Sequence, residues 1–260
     1  MESQDLFDES KLQPGPNEFD PAADLDDLMV QAGQNPAYRP EFLRRLLLSP
    51  LLVLIEAAPE PDETRDEYVG FAPLQLTNGH IPVFTSLARL QDNPALLEHE
   101  RISVKGRDLL TALQQRDLSL NPFSEASINL PAVICQQLLA GEEFGAFRLS
   151  PPMEEREVLI GQPAEYPTAA VEAIRLLLSG HPRVQAAYLT YLLASGEEPA
   201  RFIIGLQLEG DFKGIAQEVA YVASSFQAEL GEVYMVQQVI PDTDEFSDYV
   251  LSTAPFYVRE

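Results

Sequence analysis

Residues 184–240 read VQAAYLTYLLASGEEPARFIIGLQLEGDFKGIAQEVAYVASSFQAELGEVYMVQQVI, and this stretch decides the fold. VQAAYLTYLLA and ARFIIGLQLEG are apolar runs with aromatic and β-branched residues, separated by Ser195-Gly196-Glu197-Glu198-Pro199, so they predict two strands joined by a turn. DFKGIAQEVAYVASSFQAELG predicts one long helix closed by a glycine, and VYMVQQVI a final strand. Working outward towards the N-terminus, EVLIGQ (157–162) reads as a strand and Pro167 to Gly180 as a helix. The order strand, helix, strand, strand, helix, strand predicts a ferredoxin-like βαββαβ domain, with both helices on one face of an antiparallel sheet.

The preceding half is mixed in the same way. Leu25, Leu28, Met29 and Ala32 fall on one helix face, with Asp24 placed to cap it. A second helix is predicted from Glu41 to Leu48, entered through Pro40 and stopped by Ser49-Pro50, before the buried strand LLVLIEA. Ala58 to Glu67 reads as an exposed loop, after which VGFAPLQL and HIPVFTS flank Thr77-Asn78-Gly79 as a hairpin. GRDLLTALQQ predicts a helix, LSLNP and ASINL two short strands, and PAVICQQLLAG a helix with Pro131 at its start and Gly141 past its end.

At 260 residues the chain exceeds the usual size of one domain. The proline pair and clustered charges of LSPPMEERE mark the boundary, so the fold class is α+β. Two mixed α/β domains are expected, at 23–148 and 149–260. Residues 1–22 carry six acids, one lysine and Pro14, Pro16 and Pro21, a composition that predicts a disordered acidic tail. In that segment Leu6, Phe7 and Phe19 read either as part of a solubilising leader or as a short recognition motif.

The formal net charge of -24 repels phosphates, so neither direct nucleic-acid binding nor docking on anionic lipid is expected. No window approaches a transmembrane run, and acids stand where a signal peptide would carry basic residues. With a single cysteine, Cys135, the expected location is cytoplasmic.

Catalytic signatures are missing. Neither GxxxxGK[ST] nor GxGxxG occurs, nor GxSxG, HExxH or CxxC. Of the three histidines, His80 follows the Asn-Gly turn as a polar hairpin residue. His99 lies in the charged stretch Glu98-His99-Glu100, and His181 sits at a helix end, where the dipole favours it. Cys135 falls among Val133, Ile134, Leu138 and Leu139, the setting of an inert small hydrophobe. With 41 acids, carboxylate spacing carries no information about a general acid and base. No catalytic residue, metal or cofactor is expected.

In the first half, NPAYRPEFLRRLLLSPLLVL, IPVFTSLARL, GRDLLTAL and LSLNPFS, and in the second VLIGQPAEYP, VQAAYLTYLL, FIIGLQLEGDF and PFYVRE, occur in an order that resembles the SseB family across about residues 24 to 259. These are the bacterial "enhanced serine sensitivity" proteins, which pair an SseB N-terminal with an SseB C-terminal domain. The resemblance implies a bacterial cytosolic protein and brings no catalytic residues with it.

Within the matching segments six residues are binding candidates: Phe84, Thr85, Ser86, Asn121, Phe256 and Tyr257. Each has a plainer reading. The hydroxyls after Phe84 can cap the helix beginning near Leu87, Asn121 opens a turn, and Phe256-Tyr257 can dock the chain end on its own domain. The functional expectation is a non-enzymatic binding or regulatory module whose partner is another protein. Two alternatives stay open: a sensor of a small metabolite such as an amino acid, and an acidic mimic of nucleic acid.

Overall fold

The computed structural model describes residues 24–56, 72–141, 144, 159–193, 200–231 and 234–259. The expectations for the acidic leader, the 58–67 loop, the boundary LSPPMEERE and the Ser195–Pro199 turn lie outside these residues. The chain divides into two compact units. One takes the described residues of Ala23–Gln34 and Glu41–Glu143, the other those of Asn35–Pro40 and Phe144–Glu260.

In the first unit α1 spans Leu25–Gln34, and the Asp24 carboxylate accepts from the Asp27 N–H at 2.8 Å, as expected of a cap. Its buried face is Leu28, Met29 and Ala32. The chain passes through a 3-10 turn at Pro36–Tyr38, which belongs to the second unit, and from Glu41 of α2 (Arg39–Leu48) continues in the first with β1 (Pro50–Leu54), β2 (Ile81–Phe84) and α3 (Leu87–Gln91). A second 3-10 turn (Pro94–Glu98) leads into β3 (Arg101–Lys105), α4 (Gly106–Ala112), β4 (Leu118–Leu120), β5 (Ile128–Leu130) and α5 (Ala132–Ala140).

The sheet runs β3-β1-β2-β4-β5, with β2 and β4 parallel and the other pairs antiparallel. Among the described residues the predicted hairpin is present as its turn alone. Leu76 donates to the His80 carbonyl and Gly79 has φ 84, so the turn exists. Among the described residues before it, 72–76, the pairing is a bridge from Pro73 to Ile55, and β2 pairs with β1 and β4 instead. Pro73 lacks the N–H a ladder needs, whereas β1 offers a fully apolar partner.

Close approach shapes this unit at Gly106. Its N–H donates to the Ser49 carbonyl at 2.8 Å, and a Cβ there would stand 1.9 Å from the Leu46 carbonyl oxygen, so α4 starts directly on the end of α2.

The second unit contains β6 (Leu159–Gly161), α6 (Thr168–Ser179), β7 (Val184–Leu193), β8 (Arg201–Leu208), α7 (Phe212–Ser224), α8 (Gln227–Leu230), β9 (Tyr234–Gln238), α9 (Glu245–Leu251) and β10 (Tyr257–Val258). The expected single long helix is two, broken at Ser225-Phe226, because Ser225 caps α7 through its N–H to the Val222 and Ala223 carbonyls.

The predicted element order is present, but the ferredoxin-like topology is not. The sheet runs β10-β7-β8-β9 with β6 also on β7, and β8 pairs β9 in parallel. A ferredoxin sheet is antiparallel throughout. Here α7 and α8 form a crossover that lands β9 beside β8, the usual outcome for a strand-helix-strand unit. Moreover, both faces are covered. Residues two apart line one face, and Ala186 and Tyr188 pack with Val239 and with Val250 of α9. On the other face Tyr257, paired with Ala187, reaches the Leu178 carbonyl of α6 at 3.2 Å. Gly205 makes room for α9, since a Cβ there would stand 2.9 Å from Val250 Cγ1.

Among the described residues no helix is long and apolar enough to cross a membrane.

Candidate functional site

In sheets with parallel strands, ligands and partners favour the carboxyl ends of those strands. In the first unit that end is where β2 gives way to Thr85-Ser86 and β4 to Asn121. Val83 pairs with Leu120, so the residues that follow emerge side by side. Phe84 anchors the corner, fully buried in a cluster with Leu54, Leu90 and Leu96, and its ring stacks on Phe123 at 6.5 Å.

Asn121 is buried and holds a left-handed backbone, φ 49, which its short polar side chain tolerates better than most. Its Oδ1 accepts from the Thr85 N–H at 3.0 Å, and its Nδ2 donates to Thr85 Oγ1 at 2.7 Å and to Met29 Sδ at 3.4 Å. Thr85 Oγ1 in turn donates to Asp26 Oδ1. Ser86 Oγ donates to Asp26 Oδ2 at 2.8 Å and accepts from the Arg89 N–H at 3.2 Å, so capping of α3 is one of its two duties. Arg89 closes the network, with Nε 3.2 Å from Asp26 and an Nη 3.3 Å from Asp92, which also accepts from Ser124 Oγ.

The arrangement ties α1, α3 and the ends of β2 and β4 into one polar knot. Chemically it favours holding over reacting. Both hydroxyl protons are given to Asp26, and that carboxylate is matched by Arg89, so neither hydroxyl is paired with a free base. Thus Phe84, Thr85, Ser86 and Asn121 come together as candidates. Phe256 and Tyr257 belong to the other unit, where the Phe256 N–H donates to Ala187 and β10 docks on β7. Sequence reading missed Asp26 and Arg89, which looked like ordinary charges of a helix's first turn and of an exposed face. No local signal couples them, because Asp26 and Thr85 are 59 positions apart.

Several other titratable side chains among the described residues meet polar partners or are buried. His80 Nδ1 lies 3.0 Å from Ser119 Oγ, which donates to Asn129 Oδ1 at 2.9 Å. That hydroxyl proton is therefore committed to the amide. His181 Nε2 meets Glu218 Oε2 at 2.9 Å, joining the end of α6 to α7. Arg39, missed from sequence, is buried and donates to Ser225 Oγ at 3.1 Å, fastening the Asn35–Pro40 segment to the end of α7 within the second unit. Burial and the charge of Asp117 push the Cys135 thiol up to about 11. Burial pushes Tyr234, whose hydroxyl donates to the Ala220 carbonyl at 2.6 Å, up to about 12. Among the described residues no group of three or more His, Cys, Asp or Glu side chains could hold a metal.

Comparison with known proteins agrees with the two-part organisation. The family model of the SseB protein N-terminal domain matches residues 25–133, and that of the SseB protein C-terminal domain matches residues 152–259. Over 243 residues the chain is 28% identical to Protein SseB of Escherichia coli (strain K12), covering 91% of this chain and 92% of that relative. Protein SseB of Shigella flexneri matches to the same extent, 28% over 243 residues. No solved structure matches the chain. With the two domain models matched in order and the relatives aligned across nearly their whole length, the chain belongs to the SseB family.

Proposed function

We propose that this SseB-family chain is a non-enzymatic, cytosolic protein-binding module, a regulatory adaptor. The observation that supports it is a contrast at the carboxyl end of the parallel pair. The candidate hydroxyls and the Asn121 amide are spent on one another and on Asp26, while Leu87 and Phe123 beside them are 47% and 40% exposed. A rigid polar base with apolar side chains presented on it suits docking of a protein surface, where aromatic anchors carry much of the affinity.

The test is an affinity capture from bacterial lysate at low and high salt, using the full chain and a version starting at Asp24. A protein retained by both at high salt is the expected result. Retention that collapses as salt rises favours the mimic of nucleic-acid charge, since screening shortens to about 3 Å at 1 M. Empty capture at either salt refutes the adaptor reading.

A small-metabolite sensor is the second reading. It draws on the same position, because the carboxyl end of parallel strands is also where small ligands settle. A rise in unfolding temperature with serine or related amino acids would support it, since a ligand of the native state stabilises that state.

A further inference from the structure

We propose that α3, the Pro94–Glu98 turn and the 122–125 turn together form the docking face for a basic, amphipathic helical segment of a partner protein. This rests on the protein-binding reading and adds its place and its chemistry.

Three apolar side chains stand out from this face: Leu87, Phe123 and Leu97, the last 37% exposed. The three segments that carry them share one cluster beneath. Phe123 stacks on Phe84, and Phe84 shares its core cluster with Leu90 of α3, the helix that carries Leu87, and with Leu96 of the 3-10 turn that carries Leu97. Ser124 donates to Asp92 at the end of α3, and Arg89 links Asp92 to Asp26, so the turn carrying Phe123 is tied to the helix carrying Leu87. Anchors preset in this way lose little conformational freedom on binding.

Charge selects the occupant. Segments 86–99 and 121–126 contain Asp92, Glu98 and Glu125 against a single cation, Arg89. That cation is already engaged by two carboxylates, Asp26 and Asp92. Glu98 and Glu125 add to that pairing, so the segments that carry the anchors are net acidic on a chain of net charge -24. A neutral or acidic segment would bury its apolar side chains against repulsion, whereas a basic one gains steering and a matched rim. A helix that alternates cations with apolar residues at i, i+3 and i+4 meets both demands.

A photo-reactive residue placed at Leu87 or Phe123 of the full chain, with Val133 of α5 as the exposed apolar control, captures whatever contacts the face in lysate. The captured peptide is then sequenced. Capture at positions 87 and 123 and not at 133, of a net basic segment with helical apolar spacing, is expected. Capture of an acidic or uncharged segment, or equal capture at 133, overturns the proposal. So does the absence of capture at 87 and 123. In that case a salt-resistant partner in the affinity experiment leaves the adaptor reading standing, and an empty experiment removes both. Leu87→Ala and Phe123→Ala should each weaken the captured complex by about tenfold or more. Because Leu87 is exposed outside the core, its variant separates lost docking from lost folding.

Discussion

Asn121 ties the knot at the end of β2 and β4 more than any other residue, and its replacement should unfasten the first unit in a graded way. Asn121→Ala removes two hydrogen bonds to Thr85, each worth about 1 kcal/mol net. It also leaves a part-buried Thr85 N–H without its acceptor, at a further cost of about 1 to 3 kcal/mol. Alanine at φ 49 adds about 1 kcal/mol of backbone strain that asparagine largely escapes. The sum is about 4 to 6 kcal/mol, a large part of a domain's stability. Asn121→Gly loses the same hydrogen bonds but relaxes the backbone, so it should cost about 1 kcal/mol less than alanine. Asn121→Asp keeps an acceptor for the Thr85 N–H but turns a second oxygen towards Thr85 Oγ1, whose proton already goes to Asp26, and adds a buried charge beside that carboxylate. It should be at least as damaging as alanine. Because two units need not unfold together, the assay is native-state hydrogen exchange by mass spectrometry, read on peptides of β2 and β4 separately from those of β7 and β8. An alanine cost below about 1 kcal/mol, or a glycine variant less stable than the alanine one, would refute the reasoning.

Other expectations follow from the packing. Gly106→Ala sets a methyl 1.9 Å from the Leu46 carbonyl, an obstacle of backbone rather than side chain, so the cost should reach or exceed the roughly 3 kcal/mol upper end for overpacking, measured by urea unfolding of the first unit. Gly205→Ala presses on Val250 Cγ1 at 2.9 Å and Val239 Cγ1 at 3.2 Å; α9 should exchange its amides faster, and Val250→Ala in the same chain should partly restore protection. Cys135, raised from 9.0 to about 11, should resist alkylation at neutral pH until the unit unfolds. With its folded value above the unfolded one, its contribution is complete below about pH 9 and is lost as pH rises through about 11, and Tyr234, raised from 10.0 to about 12, acts likewise over the next window. Denaturation midpoints should therefore fall through this alkaline range, less steeply in Cys135→Ala.

Much of the local structure was legible in the residues. Asp24 capped α1 as its position ahead of an apolar stripe implied, and Ser86 capped α3. Pro131 and Gly141 bracket α5, and the apolar runs of β7, β8 and β9 are strands. In each of these the signal and the structure it specifies lie within a turn or two of one another. β3 was not read, because RISVK alternates exposed with half-buried residues between charged neighbours, the pattern of an edge strand that looks like loop. α9 was hidden by its acidic first turn, and its place on the sheet depends on Gly205, forty positions before its start.

What the sequence by itself determined was the two-part α+β division and the principal helices and strands; it also singled out Phe84, Thr85, Ser86 and Asn121, which the fold brings together. Tertiary structure alone decided the neighbours. It set β2 against β4 in parallel instead of against its own turn, placed β9 beside β8, and brought Asp26 and Arg89 to Thr85, Ser86 and Asn121. The physical reason is that caps, turns and apolar periods act over a few residues, whereas strand neighbours and ion pairs are selected by how much apolar surface each packing of distant segments buries, and no single segment carries that information.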